Sequence, residues 1–446
     1  MERRAGAQDR ADRLAAVTAA VGRYPALLRD LPRDVRLYLL AQLPLACGAG
    51  VFATVYGLYV LALGHGPAFL GMLLTGALAG AGASAFPAGA LVDRLGPRPV
   101  LLGGCVVAAA GVAVQLATAA PAPMLVSSVL AGAGTGAFTL AAAPFLAQHI
   151  PPDRGAEVYT LDLIVGLAGR MAGSVAGGQL AARLPLPDGW PAAERYWLTL
   201  LCASAFATLA FGILLQTRRA LPAARWPGGG EGDGDAAPAP QPAPGGGPPW
   251  LRAAGHPVVV RLAVVALLTG LGSGLFLPYV GVFFVESLRT SAAAFGWLSA
   301  AALALQLVAS VLAPALARAL GAARTVGGAQ LASVPLLLLM GFAPSVAVAG
   351  AALLLRRALM NVASPVLTAL TMDVLPADLR GAGNAVVWVG LNGAAGLSTL
   401  AGGALIAALG YRPPYVLAAL LYAAAALLFL RWFARPERPA AVPRVA

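Results

Sequence analysis

The chain has 446 residues, of which 59% are hydrophobic and only 11% charged, with a mean hydropathy of +0.79. This excludes a soluble multidomain protein, whose surface needs roughly a quarter charged residues, and with it the collagen-like, disordered and disulfide-scaffold classes. The 30 basic residues, all arginine, exceed the 18 acidic ones to give a net charge of +12, which in so apolar a chain reads as membrane topology and not as a nucleic-acid partner.

Residues 1–35 are polar and arginine-rich and lack the apolar core and small-residue cleavage site of a signal peptide, so they are expected to remain as a cytoplasmic tail. Twelve apolar stretches follow, at 37–63, 68–91, 100–119, 124–149, 158–180, 196–215, 258–285, 295–317, 325–342, 346–372, 384–409 and 415–433. Each is close to the roughly 20 residues a helix needs to cross hydrocarbon. Residues 218–257 contain GGGEGDGDAAPAPQPAPGGGPP, with almost nothing to bury, and are expected to form a disordered cytoplasmic linker. The chain therefore divides into an N-terminal six-helix bundle at 36–217, a C-terminal one at 258–434 and a cytoplasmic tail at 435–446. Of the 30 arginines, 23 fall in the tails, the linker and one alternating set of loops; only Arg183, Arg195, Arg289 and Arg412 fall in the other set. By the positive-inside rule both termini are expected on the cytoplasmic side of the inner membrane.

The two halves repeat. Gly48-Ala-Gly50-Val-Phe52 is answered by Gly272-Ser-Gly274-Leu-Phe276, Gly71 by Gly296, Leu95-Gly96 by Leu320-Gly321, Arg154-Gly155-Ala156 by Arg380-Gly381-Ala382, and Gly177-Gly178 by Gly402-Gly403. Every offset is within one residue of 225. An even number of spans separates equivalent positions, so the halves share one orientation. That predicts an all-α membrane protein of 12 transmembrane helices, built as two six-helix bundles related by a pseudo-twofold axis along the membrane normal.

Gly89-Ala-Leu91-Val-Asp93-Arg94-Leu-Gly96-Pro-Arg98, between the second and third spans, resembles the signature loop of the major facilitator superfamily. Twelve spans, the duplication and the central linker extend the resemblance along nearly the whole chain. The resemblance implies a transporter and a gating latch formed by Gly89, Asp93, Arg94, Gly96 and Arg98, which docks on the eleventh span when the cavity faces outward. Physically, the glycines permit a tight turn and Asp93 suits exposed helix N-terminal amides. Pro97 stands where the family usually has a basic residue. In the fifth span, Gly169, Gly173, Gly177 and Gly178 place small residues where a neighbouring backbone can approach. This is similar to the antiporter motif of drug-efflux members, although Ser174 replaces its usual proline, and plain helix packing explains the spacing equally well. The family's arginine in the fourth span is Ser128 here.

Three arginines, Arg170, Arg356 and Arg357, lie within spans, where a charge is costly and marks a functional candidate; bonds to carbonyls or snorkelling are the plainer reading. The candidate cavity residues are Arg170, Arg357, Asn361, Tyr56, Tyr279 and Asn392. Asp162 and Asp373 are the candidates for proton coupling. The three cysteines and three histidines are scattered through the sequence, so neither a metal nor a cofactor is expected. No clustered catalytic constellation or nucleotide-binding loop is present, so no enzyme is expected.

The expected function is alternating-access transport of a small organic solute, as efflux with proton exchange. An organic-anion uniporter or exchanger using the intramembrane arginines is the alternative, and a non-transporting scaffold or sensor the alternative of another class. The expected partners are the small-molecule substrate and membrane lipids, with the protein a monomer.

Overall fold

The computed structural model describes residues 30–150, 154–185, 191–218, 249–376 and 379–434. Among them are 12 helices long and apolar enough to cross a membrane, and no strand. They are α1 (Arg33–Ala62), α2 (Pro67–Leu95), α3 (Pro97–Ala117), α4 (Pro121–His149), α5 (Gly155–Arg183), α6 (Ala192–Leu214), α7 (Pro257–Ser287), α8 (Ala292–Leu320), α9 (Ala322–Gly341), α10 (Val346–Val374), α11 (Arg380–Leu409) and α12 (Arg412–Phe433). Each predicted span falls on one of them.

Local chemistry sets the boundaries. Proline occupies the first turn of α2, α3, α4 and α7, where its missing N–H costs nothing. Ser291 and Ser345 cap α8 and α10 by accepting from the Ala294 and Val348 amides. Gly96 alone joins α2 to α3, and Gly321 alone joins α8 to α9; both have φ of 83°, a region in which a side chain is strained. Their N–H groups bond to the Val92 and Ala317 carbonyls, each at 2.9 Å. α7 is not one regular helix: at Pro278 it passes through a 3₁₀ turn (Leu277–Tyr279) and an α turn (Val280–Val282) into a π turn (Phe283–Ser287).

Of the expected linker, residues 219–248 lie outside the described residues, as do residues 1–29 of the N-terminal tail and 435–446 of the C-terminal one. The last part of the linker differs from expectation, because Pro249–Gly255 is a short helix that packs against α7 and α11 and buries Ala253.

Helix neighbours reproduce the predicted duplication. In the first half α1 packs on α5 and α6, and α4 on α2 and α3; in the second, α7 packs on α11 and α12, and α10 on α8 and α9. The halves meet where α5 packs on α8 and α2 on α11, two contacts that exchange under the twofold. Of the four apolar clusters, one lies wholly in the first half and two wholly in the second. The fourth joins Tyr56, Tyr59, Leu70 and Leu73 to Tyr279, Val282, Ala292 and Ile406. All these residues lie toward the end of the bundle opposite the ends where Arg33 and Phe433 bound the first and last helices.

Candidate functional site

Backbones touch backbones at that opposite end. A Cβ on Gly178 of α5 would meet the Gly296 Cα of α8 at 3.0 Å, and one on Gly71 of α2 would meet the Gly403 Cα of α11 at 3.4 Å. These are two copies of one contact, because 178 and 403, like 71 and 296, are 225 positions apart. Thr75 Oγ1 donates to the Gly396 carbonyl at 2.9 Å, and Leu78 Cβ lies 3.8 Å from the Cβ position of residue 396. Nearer the ends that carry the chain termini the picture reverses. Cβ positions on Gly82, Gly89, Gly381 and Gly393 meet nothing within 4 Å, and those on Gly166 and Gly383 meet only their own half. Among the described residues the halves thus touch at one end, while these glycines nearer the other end touch nothing across the seam, the arrangement of a cleft between the halves.

Two of the expected cavity residues sit at the ceiling of this cleft. Arg170 is exposed and lies one helical turn from Ser174, whose carbonyl abuts Gly296 across the seam. Positions four apart share a helix face, so Arg170 lies just below the last contact at the margin between the face of α5 that meets α8 and the face that meets α1, its carbonyl being against Gly50 of its own half. Asn392 stands in the same relation to Gly396, with its Nδ2 donating to the Trp388 carbonyl at 2.9 Å. Two turns below Arg170, Asp162 is half-buried and within hydrogen-bonding reach of the Tyr38 hydroxyl on α1. Its Oδ1 is buried without a hydrogen-bond partner among the described residues, and Arg170 acts on it electrostatically. Tyr38, Asp162 and Arg170 therefore form one polar line from the bundle interior to the cleft. Tyr38 was not among the sequence candidates, since a tyrosine near a span end gives no periodic signal.

The other candidates are placed differently. Tyr279 is 1% exposed and donates to the Thr399 carbonyl at 2.6 Å, beside Gly71 and Gly403; it plugs the seam and does not line the cleft. Tyr56 is buried in the apolar cluster that joins the halves, stacked on Phe52 at 4.3 Å. Both rings are large and largely apolar, and burying them stabilises the closed end more than exposure to a wet cavity would. Asn361 Nδ2 donates to the Arg357 carbonyl of its own helix at 2.8 Å. Arg357 is half-buried with its Nε unpartnered among the described residues, and no contact with Arg170 is present among them. Asp373 is exposed near the last turn of α10.

In the expected latch, Asp93 and Arg94 are exposed, and Asp93 has neither an ion pair nor a hydrogen bond among the described residues. Arg98 is committed within its own half: Nε donates to Thr217 Oγ1 at 3.1 Å and Nη2 to the Leu215 carbonyl at 3.0 Å, holding the end of α6. On α5, Gly169, Gly173 and Gly177 face α1, each with an added Cβ meeting backbone or side-chain atoms of Leu43, Ala46, Cys47 or Val51, whereas Gly178 faces α8. The glycines thus serve two faces, three packing a bundle and one sealing the seam. Away from the cleft, a groove of about 510 Å³ on the opposite side is lined by Gln179, Leu180, Arg183, Leu184, Pro185 and Trp297; it contains none of these charged candidates.

A family model described as Major Facilitator Superfamily matches residues 38–261 and again 262–446, the two halves of the duplication. Comparison with curated protein sequences returns no match. Among solved structures, a bacterial homologue of the human lysosomal transporter Spinster, inward-facing and occupied, superposes with a TM-score of 0.71 at 16% identity, over 91% of this chain and 98% of that one. The nucleoside transporter NupG gives 0.70 at 13% identity, over 91% and 100%. The D-xylose–proton symporter gives 0.67 at 16% identity, over 90% and 97%. At these identities the likeness is one of fold.

Proposed function

The chain belongs to the Major Facilitator Superfamily and is a multi-pass membrane protein, and from that premise we propose that it exports a small organic solute in exchange for protons by alternating access. Its seat is the inner membrane, with both termini cytoplasmic, so that the parted end of the halves opens inward. It acts as a monomer whose partners are its substrate and the surrounding lipid, and it is a transporter and not an enzyme. The observation that carries the reading is the line of Tyr38, Asp162 and Arg170 beside the cleft ceiling. A carboxylate within reach of a tyrosine hydroxyl, its Oδ1 unpartnered among the described residues, has a place for one proton. When Asp162 is ionised it can take a donor group of the substrate; when protonated it cannot. Proton and substrate then compete for one carboxylate, which is what exchange requires. Asp93 serves in the other state, in which the parted ends close and α2 approaches α11.

The test uses purified protein in liposomes under an imposed pH gradient, with lumenal pH followed while cationic drugs, organic acids and neutral sugars are added in turn. Substrate-dependent proton movement that disappears in Asp162→Asn is the expected result. Transport of acids alone, indifferent to the gradient and abolished by Arg170→Gln, would replace this reading with an anion carrier. Arg357, whose Nε is unpartnered among the described residues, favours that second reading.

A further inference from the structure

The C-terminal bundle contains a second cationic site that the transport reading does not use. Arg356 lies ten residues into α10 and is 3% exposed, within the apolar cluster shared by α7, α10 and α12. Its guanidinium carbon is 4.6 Å from the Phe276 ring centroid and 4.8 Å from that of Tyr422, so two aromatic faces lie against the ion. Such faces compensate part of the charge, but they cannot accept the N–H groups that lie in the guanidinium plane. Nε and Nη2, which together form its side-on fork, are both buried and have no hydrogen-bond partner among the described residues.

Neighbouring groups deepen the imbalance. Tyr415, whose ring is 5.5 Å from Phe276 and within electrostatic reach of Arg356, has a buried hydroxyl likewise without a partner among the described residues. Arg357 adds a second positive charge with its own unpartnered Nε. Among the described residues the C-terminal half has two acids. Glu286 is at the far end of α7, accepting from the Tyr411 hydroxyl at 3.2 Å, and Asp373 is exposed near the other end of α10. Neither faces Arg356. An uncompensated charge so buried costs several kcal/mol, and a fork of two parallel donors matches the two oxygens of a carboxylate.

We propose that Arg356 and Tyr415 bind one small monovalent carboxylate inside the C-terminal bundle, the Nε–H and Nη2–H groups taking its two oxygens and the Tyr415 hydroxyl adding a third donor. Close packing of the two rings on a guanidinium so deeply buried limits the ligand to a formate- or acetate-sized ion. This site is separate from the cleft and stands whether or not the protein exchanges protons.

The experiment is equilibrium binding of radiolabelled formate and radiolabelled chloride to the purified full chain in detergent, with gluconate as the bulk anion. Saturable binding of about one formate per chain is expected, weakened about tenfold in Arg356→Lys, which keeps the charge but loses the fork. Tyr415→Phe, which keeps the ring packing, weakens it severalfold. Monodisperse elution on size exclusion establishes that each variant is folded, and Tyr415→Phe decides the matter if Arg356→Lys is not. Failure of formate to bind the unmodified chain, chloride bound in preference to formate, or equal binding by Tyr415→Phe and the parent would overturn the assignment.

Discussion

Gly96 shows how much a single residue controls: with φ at 83° it is the entire connection between α2 and α3. Gly96→Ala is expected to cost about 1–3 kcal/mol of stability by forcing a side chain into that region, measured as a lower thermal unfolding midpoint. Asp93→Asn in the same loop should leave the midpoint unchanged, because Asp93 has no partner among the described residues, yet slow transport by weakening the other state. A lowered midpoint in Asp93→Asn would refute the separation of roles. The turn was legible in the sequence because glycines around an Asp-Arg pair have few other uses. The bonds of Arg98 to Thr217 and Leu215 were not, since a residue more than a hundred positions away leaves no local pattern. Nor does the repeat dictate every residue: Gly64 has φ of 90°, and its counterpart 225 positions on is Arg289, the one described non-glycine residue with positive φ, at 55°.

At the scale of helices, the spacing of small residues along α5 was readable, but the helices they touch were not. Every-fourth glycines announce a close approach, and only the offset between halves hinted that Gly178 and Gly403 do something apart from Gly173. Their surroundings explain the division: Gly173 abuts the Cys47 backbone within one bundle, whereas Gly403 abuts the Pro67 carbonyl and Ala68 of the other. Gly403→Leu is therefore expected to destabilise the sealed state by about 1–3 kcal/mol through overpacking, without unfolding the second bundle. In a chain freed of its cysteines, Ser174→Cys at the seam should react with an impermeant maleimide at least tenfold faster when Gly403→Leu is present. Unchanged reactivity would mean that the seam does not govern access from that side.

For the whole molecule, apolar lengths and self-similarity were enough to anticipate 12 helices in two like bundles, since they follow from bilayer thickness and chain duplication. Which end is sealed was invisible, because the same sequence must support both conformations and their energies differ little. The seam offers a direct test. A Cβ at residue 396 lies 3.8 Å from Leu78 Cβ, within the span of a disulfide. In the cysteine-free background, Leu78→Cys with Gly396→Cys should therefore oxidise readily, fasten the two halves and stop transport until a reductant is added. Transport that persists after complete oxidation would exclude rocking of the halves as the working motion. The broken course of α7 gives this motion a direction. α1 runs as regular helix to Ala62, whereas residues 277–287 at the corresponding level change winding three times around Pro278. Two halves alike in contacts are thus unlike in stiffness, and a load applied across the seam is relieved first on the compliant side. Opening then begins as a peel along α7, so that amide hydrogen exchange at 277–287 outpaces that at 52–62; a protein duplicated in plan has acquired a hinge on one side only.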